Sequence, residues 1–164
     1  LKQAGIDILP QSTCIEHLLP EPGLLTSIKP DKQLQADMEY GFNMAQAIGH
    51  LEIGQTVIVK NRAVLAVEAI EGTDATIKRG GQLGQQGITM AKVSRPGQDL
   101  RFDLPTIGLQ TLTNLIEVGA RGLVFEAHKT FLIDQDKFVK QANAADICVV
   151  ARDKKTEGDL PWAK

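Results

Sequence analysis

Apolar residues fall first into a helical rhythm and then into dense β-rich runs. Leu34, Met38, Phe42, Ala45 and Ile48 recur at spacings of three and four, which predicts a helix over residues 31–48 with one buried face. Gly49 and Gly54 frame its exit. TVIVK (56–60) and AVLAVEA (63–69), joined by Asn61 and Arg62, have the pattern of a β-hairpin. A short helix follows near residues 74–79, and GGQLGQQG (80–87) reads as a flexible connector. ITMAKV (88–93) is a strand, continued by the charged stretch after it. Residues 110–118 form a helix closed by Gly119, GLVFEA (122–127) and TFLI (130–133) are strands, 134–143 is a helix, and ICVVA (147–151) is a last buried strand. Strands alternate with helices, so the predicted fold class is α/β (or α+β), a mixed sheet with packed helices.

The ends have a different texture. LKQAGIDILPQS opens without Met. Its first five residues resemble the last turn of a helix stopped by Gly5, with a short strand at 6–9, as if continuing from an N-terminal domain. Residues 10–30, punctuated by Pro20, Pro22, Gly23 and Pro30, read as linker or surface loop. The expected organisation is an interdomain segment at 1–30, a folded domain at 31–151 and a polar tail at 152–164.

Composition narrows the function classes. With 164 residues, 43% hydrophobic and 23% charged, the chain can bury a sizeable core. A net charge of −2 and 4% aromatic residues give neither the field nor the stacking surface that nucleic acid needs. Cys14 and Cys148 have no ligand neighbours at short spacing and read as a reduced, buried pair. No apolar run reaches the length of a membrane span, no secretory signal opens the chain, and no repeat is visible.

KVSRPGQDLRFDLPTIG (92–108) carries the most unusual chemistry. If 99–104 is extended, Asp99, Arg101 and Asp103 share one face, about 7 Å apart, while Leu100, Phe102 and Leu104 anchor the other. Pro96-Gly97 makes a turn before this segment and Pro105 ends it. Such a face can hold a phosphate through Arg101 while a carboxylate activates water or binds a metal. A solvated edge strand of self-paired charges is the plainer account, and pattern alone favours it. VEAIEGTD (67–74) is the second cluster. Glu68 interrupts an apolar strand and needs a partner such as Lys92, Arg101 or a ligand hydroxyl. Gly72 permits a sharp turn, Thr73 is placed to cap the next helix, and Asp74 stands in its first turn. His17, His50 and His128 are scattered and read as structural or surface residues. HExxH, CxxC and GxSxG are absent, and GQLGQQG lacks the Gly-Lys-Ser/Thr ending of a phosphate loop.

VLAVEAIEGTDATIKR, KVSRPGQDLRFDLPTIGLQT and EAHKTFLID, in this order, resemble the C-terminal domain of the LpxI family, the UDP-2,3-diacylglucosamine pyrophosphatases of lipid A biosynthesis in Gram-negative bacteria. The likeness spans residues 30–151, and DILPQSTCIEHLLPEPGLLT is similar to the family's interdomain segment. The resemblance implies hydrolysis of UDP-2,3-diacylglucosamine to UMP and 2,3-diacylglucosamine 1-phosphate (lipid X), with magnesium as cofactor. It implies an N-terminal Rossmann-like domain, with substrate bound between the two domains. The family's essential aspartate lies in Arg-x-Asp-x-Pro, here Arg101 to Pro105, so Asp103 is the expected catalytic residue, as general base or metal ligand. Glu71, Gly72, Thr73 and Asp74 map onto the same cleft. Lys92 and Arg101 are expected phosphate contacts, Asp74 and Asp99 further acidic ligands, with Asp99 joining Asp103 at the metal. Glu68, Gln98 and Thr106 complete the expected substrate-binding set. The implied partners are the lipid-linked sugar nucleotide, the Rossmann-like domain and, as an option, a second copy in a homodimer. The implied location is cytoplasmic, with at most peripheral contact at the inner face of the inner membrane. The alternative is a lipid- or sugar-nucleotide-binding or dimerisation domain, catalytically incomplete without its nucleotide-binding half.

Overall fold

The structure is a computed structural model that describes residue 13 and residues 15–97 and 103–153. Among the described residues, eight short strands and four helices follow one another in chain order. After a 3-10 turn at Glu16–Leu18 come β1 (Gly23–Leu24), α1 (Lys32–His50), β2 (Thr56–Lys60), β3 (Ala63–Val67), α2 (Thr73–Gly84) and β4 (Thr89–Lys92). Then come β5 (Thr106–Ile107), α3 (Leu109–Glu117), β6 (Gly122–Glu126), β7 (Phe131–Leu132), α4 (Gln135–Ala144) and β8 (Cys148–Arg152). Six strands form one mixed sheet in the order β1-β8-β6-β4-β2-β3, and β5 pairs with β7 in a separate parallel ribbon. The fold is therefore α/β with a mixed sheet, as predicted.

Helix α1 begins where Asp31 caps it, accepting the Leu34 amide at 2.8 Å. Its apolar stripe of Leu34, Met38, Phe42 and Ala45 packs on Val57, Val59, Ala91, Val93, Val124 and Val150. The opposite face of the sheet, with Ile58, Met90, Leu123, Phe125 and Val149, is covered through Ile77 of α2, Leu112 and Leu115 of α3 and Phe138 of α4. The core thus has two halves divided by a sheet whose central strands are fully buried, which explains their near-continuous apolar runs. The β2–β3 hairpin turns at Asn61 and Arg62, both at positive φ, and their amides are met by the buried carboxylate of Asp37.

Several expectations change. GGQLGQQG is not a connector: α2 runs through Gly84. Gly80, Gly81 and Gly84 lie on its buried side, where a Cβ on Gly81 would come within 2.5 Å of Val118 and one on Gly80 within 2.6 Å of Ile58. The glycines let the helix approach its neighbours closely, a tertiary reason that outweighs their poor helix propensity. Thr73 is not the cap of α2. Gly72 holds that position at φ +82°, and Thr73 is the first helical residue. No strand reaches Asp103 or Leu104; the pairing comes after Pro105, in β5. The segment after β4 does not continue the strand through residues 93–97. Within the proline-rich stretch read as linker, β1 adds an antiparallel strand beside β8. Residues 1–12 and 154–164, Cys14, and the 98–102 part of the charged segment lie outside the described residues.

Candidate active site

Strands β3, β4, β6 and β8 all run the same way, so their carboxyl ends meet at one edge of the sheet. That edge is where open α/β sheets collect ligands, because the loops and helix N-termini there carry unpaired polar groups. Glu68 follows β3, Lys92 ends β4, Glu126 ends β6 and Arg152 ends β8, and all four side chains are buried. Buried charge at a strand end is costly unless it is paired, so each one marks a built feature.

Lys92 faces the side of the sheet covered by α2 and α3. Its Nζ donates to Thr73 Oγ1 at 3.1 Å and to the Thr106 carbonyl at 3.2 Å. The Thr73 hydroxyl in turn donates to Glu68 Oε1 at 2.8 Å, so one threonine joins two buried opposite charges. Burial holds the Lys92 ammonium below its ordinary pKa, and the carboxylates of Glu68 and Asp74 oppose that shift. The other Glu68 oxygen, Oε2, is buried without a hydrogen-bond partner. Around Lys92 opens a cleft of about 340 Å³ lined by Glu71, Gly72, Thr73, Asp74, Thr106 and Thr111. Gly72 makes the turn that sets the α2 N-terminus at its wall. Glu71 is held by the Ala69 amide, by Thr76 and by Arg79, and its own backbone amide and Arg79 draw its carboxyl below the usual range. A larger hollow of about 630 Å³ between α2 and α3 is lined by Gly81, Gln82, Ile116 and their neighbours, without a buried titratable group.

The chain leaving β4 and the chain entering β5 run past each other. Lys92 reaches Thr106 at one end, and Arg95 lies 3.7 Å from Asp103 at the other. Asp103 is exposed and only three residues ahead of Thr106, so at most about 11 Å of extended chain separates it from the cleft wall. Between these two ties, Ser94 is buried, and its amide and hydroxyl both donate to Glu126 Oε2 at 2.9 and 2.7 Å. Lys129 donates to Glu126 Oε1 at 3.0 Å.

A family model for the LpxI C-terminal domain matches residues 21–150. The chain belongs to the LpxI family. It is 35% identical to UDP-2,3-diacylglucosamine pyrophosphatase LpxI of Caulobacter vibrioides over 147 aligned residues, which take in 84% of this chain and 52% of that protein. It spans about half the length of that relative and corresponds to the family's C-terminal domain. The LpxI-matched span contains every side chain of the Lys92 cleft, together with Asp103 and Glu126.

Of the residues singled out from sequence, the structure brings Glu68, Glu71, Thr73, Asp74, Lys92 and Thr106 to one place. Lys92 is electrostatically coupled to Glu68, one of the partners foreseen for that acid. Asp103 stands on the neighbouring segment, 3.7 Å from Arg95. Gln98, Asp99 and Arg101 lie outside the described residues. The histidines take no part: His50 contacts the Gln46 carbonyl, and His128, at positive φ, lies 3.5 Å from Glu21. Thr111, Ser94, Arg95 and Glu126 were missed. For Glu126 the signal was present, since it interrupts the apolar run GLVFEA just as Glu68 interrupts AVLAVEAI.

Proposed function

We propose that the chain supplies the C-terminal half of an enzyme that hydrolyses the pyrophosphate bond of UDP-2,3-diacylglucosamine, releasing UMP and 2,3-diacylglucosamine 1-phosphate in lipid A biosynthesis. The observation that carries this, within a member of the LpxI family, is the Lys92 cleft: a buried ammonium at the carboxyl edge of the sheet, with hydroxyls and carboxylates around it. Phosphoryl transfer asks a protein mainly to position oxygens and neutralise charge, and this cleft is furnished for that. Lys92 binds a phosphoryl oxygen, with the Thr73 and Thr111 hydroxyls beside it. Asp103 accepts the proton of the attacking water as its oxygen joins phosphorus and the bridging P–O bond breaks. Arg95 orients Asp103.

The residues fit a magnesium ion. Magnesium is ordinarily held by one or two carboxylates plus substrate phosphates and water, not by a full protein cage. Among the described residues no group of three acidic, His or Cys side chains is close enough to form such a cage, while Asp74 lines the cleft and Glu68 Oε2 is an unsatisfied hard donor. Asp74 would hold the ion, together with substrate phosphate oxygens and water. When bound, magnesium supplies charge neutralisation on the phosphoryl oxygens. Leu51, Ile53 and Ile70 are exposed on the two loops that meet where Gly54 abuts the Glu68 carbonyl, an apolar rim suited to acyl chains at a membrane surface. Among the described residues no helix is long and apolar enough to cross a membrane.

The test is UMP release from UDP-2,3-diacylglucosamine with magnesium. It is run on the chain alone, on Asp103→Ala, and on the chain supplemented with the half of the Caulobacter relative that it does not match. Release that depends on Asp103, by the chain alone or on supplementation, is the expected result. Failure in every mixture would refute the assignment and favour a binding or dimerisation domain.

A further inference from the structure

The β4–β6 ladder stops at Lys92 opposite Phe125. Two residues on, the Ser94 amide is met by the side chain of Glu126 in place of a backbone carbonyl. The same carboxylate oxygen takes the Ser94 hydroxyl, and the other oxygen takes Lys129. Glu126 is 1% exposed, so its charge rests on these three donors. The carboxylate holds the chain just where it leaves the sheet, at Ser94, between Lys92 and Arg95. On the far side the Val93 amide is tied to the Gln55 carbonyl, so the segment is clamped from both neighbouring strands. Its two flanking side chains are the ones that tie 92–95 to 103–106, through Lys92 to Thr106 and Arg95 to Asp103.

We propose that Glu126 is a positioning residue: by clamping Ser94 it sets the path of 92–95 and so fixes Lys92 and the Arg95–Asp103 pair relative to one another. Lys129 neutralises the clamp from outside and is not itself needed to hold Ser94. The inference rests on the proposed pyrophosphate hydrolysis for its kinetic consequence, but its structural part is measurable without turnover.

Glu126→Gln removes the charge and presents an amide N–H against donors already in place, so the clamp on Ser94 loosens. Ser94→Ala removes one of its two bonds and leaves Glu126 paired with Lys129 and the Ser94 amide. Lys129→Met leaves both Ser94 bonds intact. In the chain supplemented as above, Glu126→Gln is expected to lower kcat by about tenfold or more with KM within about twofold, since misplacing groups by a fraction of an ångström weakens the transition state more than substrate binding. Ser94→Ala is expected to lower kcat several-fold, roughly threefold to tenfold, and Lys129→Met to leave it within about twofold. Amide hydrogen exchange of the peptide 92–97 supplies the readout independent of activity. It should speed up in Glu126→Gln and Ser94→Ala, while exchange in α1 and β8 stays unchanged. Faster exchange at 92–97 in an enzyme that releases no UMP even as wild type would keep the clamp and refute the hydrolysis. Active wild type with unchanged kcat in Ser94→Ala, or unchanged exchange at 92–97 in both variants, would overturn the positioning role. If Glu126→Gln does not fold, Ser94→Ala alone decides.

Discussion

Glu68 and Lys92 are 6% and 5% exposed and share the Thr73 hydroxyl, which donates to the first and accepts from the second. Charges joined through one hydroxyl stand about 5 Å apart, where an effective dielectric of about 20 gives an attraction of roughly 3 kcal/mol. Removing one charge leaves the other buried without its counter-charge, a loss of about 3–5 kcal/mol. Removing both discards the attraction and both desolvation penalties together. The perturbation is therefore a cycle of Glu68→Gln, Lys92→Met and the double variant, followed by urea unfolding. Each single variant should lose stability, the double should be more stable than either single, and the coupling should be about 3 kcal/mol. The same proteins separate stability from chemistry. The double variant regains its fold but not its ammonium, so UMP release should stay at least about a hundredfold below wild type. A coupling below about 0.5 kcal/mol, the ordinary error of additivity, would refute the claim that these two charges support one another. Full activity in Lys92→Met would remove Lys92 from the phosphate site.

Three further outcomes are expected. Asp103→Ala should abolish turnover, by about a hundredfold or more, while unfolding stays within about 0.5 kcal/mol of wild type, because the side chain is exposed and its Arg95 contact is long; an active variant would end its assignment. Gly81→Ala should destabilise by about 1–2 kcal/mol in thermal or urea unfolding. The added Cβ meets Val118 at 2.5 Å, which outweighs a helix-propensity gain of about 1 kcal/mol, and Val118→Ala should relieve it; simple stabilisation by Gly81→Ala would contradict the close packing. Burial pushes the Cys148 thiol up from 9.0 to about 12. Its native pKa lies above its unfolded one, so its contribution is complete below pH 9 and is lost as pH rises from 9 towards 12. Wild type should therefore lose stability relative to Cys148→Ala by roughly 1.4 kcal/mol per pH unit across that window, and parallel pH curves would show that the thiol is not buried in solution.

Most of the elements were legible because their signals are local. The α1 stripe, the Asn61–Arg62 hairpin and the β-rich run of β8 follow from side-chain periods and turn chemistry that hold whatever the rest of the chain does. One misjudgement came from the opposite situation. GGQLGQQG looks like a loop by propensity, yet its glycines serve contacts with Ile58 and Val118 that are distant in sequence. The alternating Asp99, Arg101 and Asp103 suggested a strand; residues 98–102 lie outside the described residues, and pairing is seen beyond Pro105, in the ribbon with β7. At the site, an acid inside an apolar run was a readable sign. It was followed at Glu68 and overlooked at Glu126, where GLVFEA looked like an ordinary core strand.

The sequence by itself determined the α/β class, the family likeness carried by EGTD and RFDLP, and the choice of Lys92, Asp74 and Asp103 as groups to watch. The class follows from residue type and spacing along the chain, and the choice of Asp103 from the family resemblance. Only the tertiary structure decided that Glu68 and Lys92 meet through Thr73, that Arg95 faces Asp103, and that Ser94 hangs on Glu126, 32 residues away. The physical reason is that parallel strands gather their carboxyl ends at one edge whatever their separation in sequence. Which buried charges share that edge is set by strand order and register, which no local pattern encodes.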